Sequence, residues 1–331
     1  MRYLITGGAG FIGSHLADVL LQNGDRVVAI DDFSTGRREN IQHLLANPHF
    51  QMVRETITNE MVMDRFISEC DTVIHLAAAV GVELIVHSPV HTIETNVMGS
   101  EIVLRTARRY NKKVLIASTS EIYGKSAETP YQEDADSLMG PTTRHRWAYA
   151  TSKALDEFLA LAYHREYQLP VVVFRLFNTV GPRQSGRYGM VLPRLVQQAL
   201  ANKPLTVYGD GQQSRCFCDV RDVVRAIVGL ATTAEAIGKV FNVGSQAEIS
   251  ILQLAQTIKE IIGSESPIRL IPYEQAYEAG FEDMRRRIPD TTRVFQLLGW
   301  QSTIPLRQTI QDMIRYFQEQ SSGNGDASSS H

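Results

Sequence analysis

Over the first half of the chain, apolar runs of strand length alternate with amphipathic stretches of helix length. Residues 3–6, 27–30, 52–53, 72–76, 114–117 and 171–174 are unbroken apolar runs, rich in β-branched side chains. Strands buried on both faces read that way, whereas half-buried strands alternate. Between the runs, residues 11–22 set Ile12, Leu16, Val19 and Leu20 near the ~3.6-residue period of a helix. Residues 60–69, 91–110 and 148–167 also read as helices. The succession predicts an α/β fold, a Rossmann-type doubly wound parallel sheet.

Past residue 176 the rhythm changes. Loops carry more Gly and Pro, as at Gly181-Pro182, Gly186, Gly189, Pro193, Pro204, Gly209 and Gly211. Helical stretches at 193–201, 219–232, 251–262 and 305–318 are separated by short runs such as 205–208 and 240–243. We read residues 1–175 as a dinucleotide-binding domain. Residues 176–320 read as a smaller C-terminal α/β substrate domain with elements interleaved with the first. The Ser/Gly-rich stretch 321–331 reads as a disordered tail. A length of 331 residues suits two units sharing a cleft.

Composition narrows the partners. Lys plus Arg number 33 and Asp plus Glu 36, for a net charge of −3. That balance lacks the basic surplus of phosphate-backbone binders, so nucleic acid is not expected as a partner. No segment approaches the ~18–20 apolar residues of a membrane span. The N-terminus has no signal-peptide apolar region and runs straight into a glycine loop, so the expected setting is cytoplasmic, with no membrane partner. The three cysteines, Cys70, Cys216 and Cys218, imply no disulfide framework. Cys216 and Cys218 have no further ligands nearby, so no metal is expected; they read as two small side chains on one face of a strand.

The first chemical motif is Thr6-Gly7-Gly8-Ala9-Gly10-Phe11-Ile12-Gly13, directly after the first strand and opening the first helix. Glycines at 7, 10 and 13 permit a tight turn, close approach of a pyrophosphate and close helix–strand packing. The helix N-terminus offers free N–H groups to the phosphates. An acidic pair, Asp31-Asp32, follows at the end of the second strand, roughly 20 residues on. A carboxylate there holds an adenosine ribose and repels a 2′-phosphate, which favours NAD over NADP. Arg37 and Arg38, just downstream, pull the other way.

The second motif is Tyr149 and Lys153, four residues apart and thus on one helix face. A free tyrosine, with a pKa near ~10, is a poor base at neutral pH. A lysine ammonium one turn away and an oxidised nicotinamide both favour the phenolate. That phenolate can take a proton from a sugar hydroxyl as hydride leaves for the cofactor. The third motif, Ser118-Thr119-Ser120-Glu121-Ile122-Tyr123-Gly124, ends a strand where open parallel sheets bind ligands. A Thr hydroxyl there can bond the reacting oxygen and a carboxylate can act as acid or base. An N-cap or turn has the same composition.

With these motifs in order, the chain resembles the extended short-chain dehydrogenase/reductase family of nucleotide-sugar epimerases, dehydratases and decarboxylases over about residues 1–318. The likeness includes Gly7, Gly10 and Gly13, Asp31, His75-Leu76-Ala77-Ala78, Asn96, Thr119, Tyr149 with Lys153, Arg175 with Asn178, and Gly181-Pro182-Arg183. It continues through Tyr208-Gly209-Asp210-Gly211 to Arg215, and Pro289-Asp290 leading to Leu298-Gly299-Trp300. The resemblance implies that Thr119, Tyr149 and Lys153 form the catalytic set, with Ser120 and Glu121 beside them. It implies NAD contacts at the glycine loop, Phe11, Ile12, Asp31, Asp32, Leu76, Ala77, Ala78, Tyr149 and Lys153. Substrate contacts are implied at Asn178, Arg183, Tyr208, Arg215 and Arg287. Many relatives have an Asp near the adenine where this chain has Thr56-Ile57, which leaves the Ile57 backbone to read that edge. Asn96 is expected to brace the sheet. The resemblance also implies a homodimer, with helices 91–110 and 148–167 pairing as a four-helix bundle.

Members of the family first oxidise a sugar C4 hydroxyl and then diverge. Dehydratases often carry Asp-Glu after the catalytic Thr; here it is Ser120-Glu121. Thr-Ser-Glu, with Gly140-Pro141, Arg146-Trp147 and Gln213-Ser214-Arg215-Cys216-Phe217, is similar to the UDP-glucuronate decarboxylases. In that reading Glu121 and Arg215 act around the sugar carboxylate. Some GDP-mannose dehydratases share Thr-Ser-Glu, and the loop Gln184-Ser185-Gly186-Arg187-Tyr188-Gly189-Met190 leaves a UDP-sugar 4-epimerase open. The expectation is a nucleotide-sugar substrate and decarboxylation through a 4-keto sugar, with epimerisation and then 4,6-dehydration as alternatives. A non-enzymatic alternative is an NAD-sensing regulator, against which the complete Thr119–Tyr149–Lys153 set argues.

Overall fold

The computed structural model describes residues 1–79, 88–186, 190–276 and 284–326. Residues 187–189 of the loop just quoted, and 327–331 of the expected tail, lie outside the described residues. In chain order the first half contains β1 (Arg2–Thr6), α1 (Phe11–Gln22), β2 (Arg26–Asp31), β3 (Phe50–Arg54), α2 (Glu60–Glu69), β4 (Thr72–His75) and α3 (Pro89–Arg109). Then come β5 (Lys113–Thr119), α4 (Arg146–Tyr167), β6 (Val171–Leu176), β7 (Thr179–Val180), α5 (Val191–Leu200), β8 (Leu205–Tyr208), β9 (Ser214–Cys216), β10 (Cys218–Asp219) and α6 (Val220–Thr232). The chain ends with β11 (Val240–Val243), β12 (Glu248–Ser250), α7 (Ile251–Ile262), β13 (Ile268–Ile271), a short α8 (Tyr273–Ala276), α9 (Thr292–Leu298) and α10 (Leu306–Asp326).

Seven strands form one parallel sheet in the order β11-β6-β5-β4-β1-β2-β3. The apolar runs are unbroken because both faces are covered. Leu4, Val28, Val73 and Val114 point to one side, against Met63, Phe66 and Ile67 of α2 and Ile102 and Val103 of α3. Ile5, Ala29, Ile74 and Leu115 point to the other, against Leu16 and Leu20 of α1 and Val223 and Ile227 of α6. Each such fully buried aliphatic side chain contributes about 1.5–3 kcal/mol. A second core lies past β7 and joins α5, β8, α7 and α10 through Leu195, Val207, Leu254, Ile258 and Met313.

Past residue 176, β11 pairs with β6 in the main sheet and α6 covers its face. Two expectations need correction. Cys216 and Cys218 do not share a strand face: β9 pairs with β12, while β10 turns to β7. The last helix continues through Asp326, past the expected tail start at Ser321.

Candidate active site

Helix α1 begins at Gly10, whose backbone is extended and which has no side-chain cap, so the first-turn N–H groups face outward. Gly7 takes φ 71°, and a Cβ at Gly13 would lie 2.2 Å from the Gly7 carbonyl oxygen. Any side chain at 13 would drive helix and loop apart. Behind the loop, Asp31 Oδ2 accepts from Ala9 N at 2.9 Å and Oδ1 from Phe33 N at 2.8 Å. Burial pushes the Asp31 carboxyl up, against these two bonds.

The carboxyl ends of β1, β4, β5 and β6 open into one cavity of about 480 Å³. Gly7, Gly10, Phe11, Ile12, Gly13, Asp31, Leu76, Ala77 and Ala78 line its one end. Thr119, Ser120, Glu121, Tyr149 and Lys153 line its middle, and Asn178, Tyr208, Arg215 and Arg287 its far end. A smaller pocket of about 110 Å³ continues past Asp31, lined by Asp32, Thr56, Ile57, Ala77 and Ala78 among others. Ile57 is buried there and its Cδ1 packs against the Gly99 backbone. Arg37 and Arg38 are turned elsewhere, to Ser185 Oγ at 3.2 Å and Gln42 Oε1 at 3.4 Å.

One expected residue does not join the cavity. Arg183 pairs with Asp18 of α1 at 2.8 Å and takes a φ of 69°. The pairing holds the Gly181-Pro182-Arg183 turn against α1, beside the bond between His15 Nε2 and the Pro182 carbonyl. Asn96 sits beneath the site rather than in it, as the brace expected, but between a loop and a helix. Its Oδ1 accepts from Ala79 N at 2.8 Å and its Nδ2 donates to Ser152 Oγ of α4 at 3.1 Å.

Helix α4 carries Tyr149 and Lys153 on its inner face, as their spacing requires. The Thr119 hydroxyl lies beside the Tyr149 phenol and favours its ionised form. Thr119 Oγ1 also caps the turn after β5 by accepting from Glu121 N at 3.2 Å. Opposite, Glu121 Oε1 accepts from Arg287 at 3.4 Å. Arg215 is 8% exposed and is braced by donating to the Ser214 and Met284 carbonyls at 2.7 and 2.9 Å.

The electrostatics of Tyr149 differ from the sequence expectation. Burial raises its phenol strongly, and the Glu121 and Asp156 charges raise it further, while the nearby Thr119 hydroxyl opposes them. Lys153 Nζ donates to Asp156 Oδ2 at 2.6 Å. Asp156 lies three residues beyond Lys153, a spacing as close on a helix as four. Its lack of any established motif partner hid it from the sequence reading. Arg194, Phe177 and Tyr273 also line the cavity without an earlier signal, since loops and later helices bring them in.

The residues present fit a dinucleotide. The open helix end, the Asp31 carboxylate and an unsatisfied buried oxygen, Ser118 Oγ, face one connected space. Among the described residues no group of His, Cys, Asp and Glu can hold a metal ion.

Comparison with known proteins agrees with this geometry. The family model described as GDP-mannose 4,6 dehydratase matches residues 4–313. A UDP-N-acetyl-alpha-D-glucosaminuronate decarboxylase from Bacillus cytotoxicus is 40% identical, covering 96% of this chain and 98% of the relative. UDP-glucuronic acid decarboxylase 2 of Arabidopsis thaliana is 37% identical, over 100% of this chain and 71% of the relative. The crystal structure of UDP-glucuronic acid 4-epimerase from Bacillus cereus, with UDP-glucuronic acid and NAD, has a TM-score of 0.87 at 31% identity. It covers 97% of this chain and 100% of that one. The chain therefore belongs to the extended short-chain dehydrogenase/reductase family, in the branch matched by the GDP-mannose 4,6 dehydratase model.

Proposed function

We propose that this protein is an NAD-dependent UDP-uronate decarboxylase, with UDP-glucuronate as the first substrate to test. The observation that carries the reading is the Glu121–Arg287 pair across the cavity from Tyr149, next to Ser120 in place of an acidic residue. The decarboxylase names of relatives at 35–40% identity support it. Asp31 beside the glycine loop, with Arg37 and Arg38 bonded elsewhere, favours NAD over its 2′-phosphate.

When bound, the nicotinamide accepts hydride from the sugar C4 and later returns it. Tyr149 Oη takes the C4 hydroxyl proton, with Thr119 Oγ1 sharing that oxygen. The 4-ketone stands β to the C6 carboxylate. The C5–C6 bond can then break heterolytically, its electron pair entering a C4–C5 enolate as carbon dioxide leaves. The Thr119 and Tyr149 hydroxyls stabilise the enolate oxygen. Arg287 and Arg215 balance the negative charge of carboxylate and diphosphate, and Ser120 offers a neutral hydroxyl donor. A water held by the Glu121 carboxylate would supply the proton that C5 takes up.

The decisive experiment is incubation of the NAD-loaded protein with UDP-glucuronate and UDP-N-acetylglucosaminuronate, with products resolved by mass spectrometry and NMR. Loss of carbon dioxide is expected from at least one. A second reading, 4-epimerisation, is favoured by the likeness to the Bacillus cereus epimerase. An isomer of unchanged mass would establish it and remove the decarboxylase reading. Absence of turnover on any nucleotide sugar would leave the NAD-sensing alternative.

A homodimer through α3 and α4 is part of the same proposal. The two helices pack together, and their outer faces leave Ile93, Met98, Leu155 and Phe158 exposed, Phe158 by 74%. Large apolar side chains left exposed on a pair of packed helices suit an association site. Phe158→Arg is expected to convert the dimer to monomer, read by light scattering; a wild-type protein that is already monomeric would refute the arrangement. Free, buried thiols at Cys70, Cys216 and Cys218 suit a reducing, cytoplasmic setting.

A further inference from the structure

The Tyr149–Lys153 pair has a third member on the same helix. Lys153 and Asp156 form an ion pair at 2.6 Å in which the two side chains are only 3% and 1% exposed. A buried pair of opposite charges is screened little by solvent, so each member governs the field that its neighbours feel. We propose that Asp156 is a positioning residue of the reaction: it anchors the Lys153 ammonium through a direct ion pair and sets how much of that positive charge reaches the Tyr149 phenol. This inference rests on Tyr149 acting as the base.

The surroundings of Asp156 make it the strongest counter-charge available. On its own helix it meets Lys153, Tyr149 and Glu157, and Glu157 is occupied by the Arg175 guanidinium at 2.7 Å. From α3 comes the neutral Ser100 hydroxyl, which His75 at the end of β4 meets through Nε2 at 3.2 Å. Burial and the Lys153 charge hold His75 down to about 3, so it is a neutral imidazole, tied through Nδ1 to Thr6 Oγ1 at 2.8 Å. From the turn after β5, Glu121 faces Tyr149. The charged groups acting on the phenol, Glu121 and Asp156, are both acidic, and Asp156 is the one in direct contact with the lysine.

The arrangement has a definite sign. An ammonium near the phenol favours its ionised form, and a carboxylate on that ammonium offsets the effect. Asp156 thus keeps Tyr149 protonated to higher pH than Lys153 alone would. It also holds the ammonium at a fixed place on α4, so that the long, flexible lysine chain loses no orientation before reaction. Neutralising the carboxylate is expected to let the Lys153–Tyr149 pair give up its first proton at lower pH.

The test uses Asp156→Asn and Asp156→Ser, with Asp156→Glu as the charge-retaining control. The first readout is the pH dependence of kcat/KM with whichever nucleotide sugar is turned over. The second is the ultraviolet difference titration of tyrosinate, taken against Tyr149→Phe. It needs no substrate and stays valid if the proposed reaction is wrong. Both neutral variants are expected to move the acid limb and the titration about one pH unit or more to the acid side. Asp156→Glu should restore the wild-type limb while lowering kcat through misplacement of the ammonium. A folded neutral variant with the wild-type limb and titration would overturn the proposal. So would failure of both neutral variants to fold while Asp156→Glu stays folded and active, because the carboxylate would then be structural.

Discussion

Tyr149→Phe is expected to lower kcat by roughly 10²–10⁴-fold while leaving NAD affinity within a few-fold of wild type. The phenol oxygen is the atom that the Thr119 hydroxyl acts on, and the residue lines the middle of the cavity, between the glycine loop and the Arg215–Arg287 end. The ring fills the same space without that oxygen, so the packing of α4 is retained. The glycine loop, Asp31 and the pocket at Ile57 are untouched. Binding and turnover therefore separate in this variant, and calorimetric titration with NAD alongside initial rates reads both. Normal turnover would remove Tyr149 as the base. Loss of NAD binding and turnover together would point to a distorted helix instead.

Arg175→Leu is expected to destabilise the protein by about 3–5 kcal/mol and to lower Tm on the order of 10 °C. The guanidinium sits at the end of β6, 8% exposed. It donates to both Glu157 oxygens at 2.7–3.2 Å, to the Tyr123 hydroxyl at 2.9 Å and to the Glu133 carbonyl at 2.7 Å. Tyr123 in turn donates to Asn242 of β11 at 2.7 Å. One side chain thus ties α4, the turn that carries Glu121 and the edge strand together. Leucine fills the volume but leaves Glu157 charged and buried without a partner, which costs far more than the lost bonds. Thermal unfolding measures the loss, and a change below about 1 kcal/mol would show that water reaches Glu157. Arg175→Lys should recover part of it, since an ammonium lacks the planar fork that meets both oxygens.

Local features of the chain were readable because they depend on near neighbours. The unbroken runs at 72–76 and 114–117 are buried strands because helices cover both faces. The glycines at 7, 10 and 13 answer to backbone geometry within one turn, and Tyr149 and Lys153 share a helix face by spacing alone. Residues whose partners come from afar were not readable. Arg183 belongs to a motif adjoining the cavity, yet Asp18, far away in the chain, takes its charge. Asp156 was invisible because a carboxylate on a helix is ordinarily a solvated one. Interleaving of later elements with the first half was expected, but which of them joins the main sheet depends on the open edge of β6, where β11 pairs. Ser321–Asp326 looked too polar and glycine-rich for a helix, but it continues the turns that α10 has already nucleated.

The salt bridge between Asp18 and Arg183 and the His15–Pro182 bond tie the segment after β7 to the glycine-loop helix, and the Arg37–Ser185 bond ties it to the loop after β2. A reaction that takes hydride and gives it back consumes no oxidant, so the enzyme gains nothing from exchanging its cofactor between turnovers. On the proposed reaction the dinucleotide is therefore expected to stay bound through many turnovers, and NAD that co-purifies with the protein would show it.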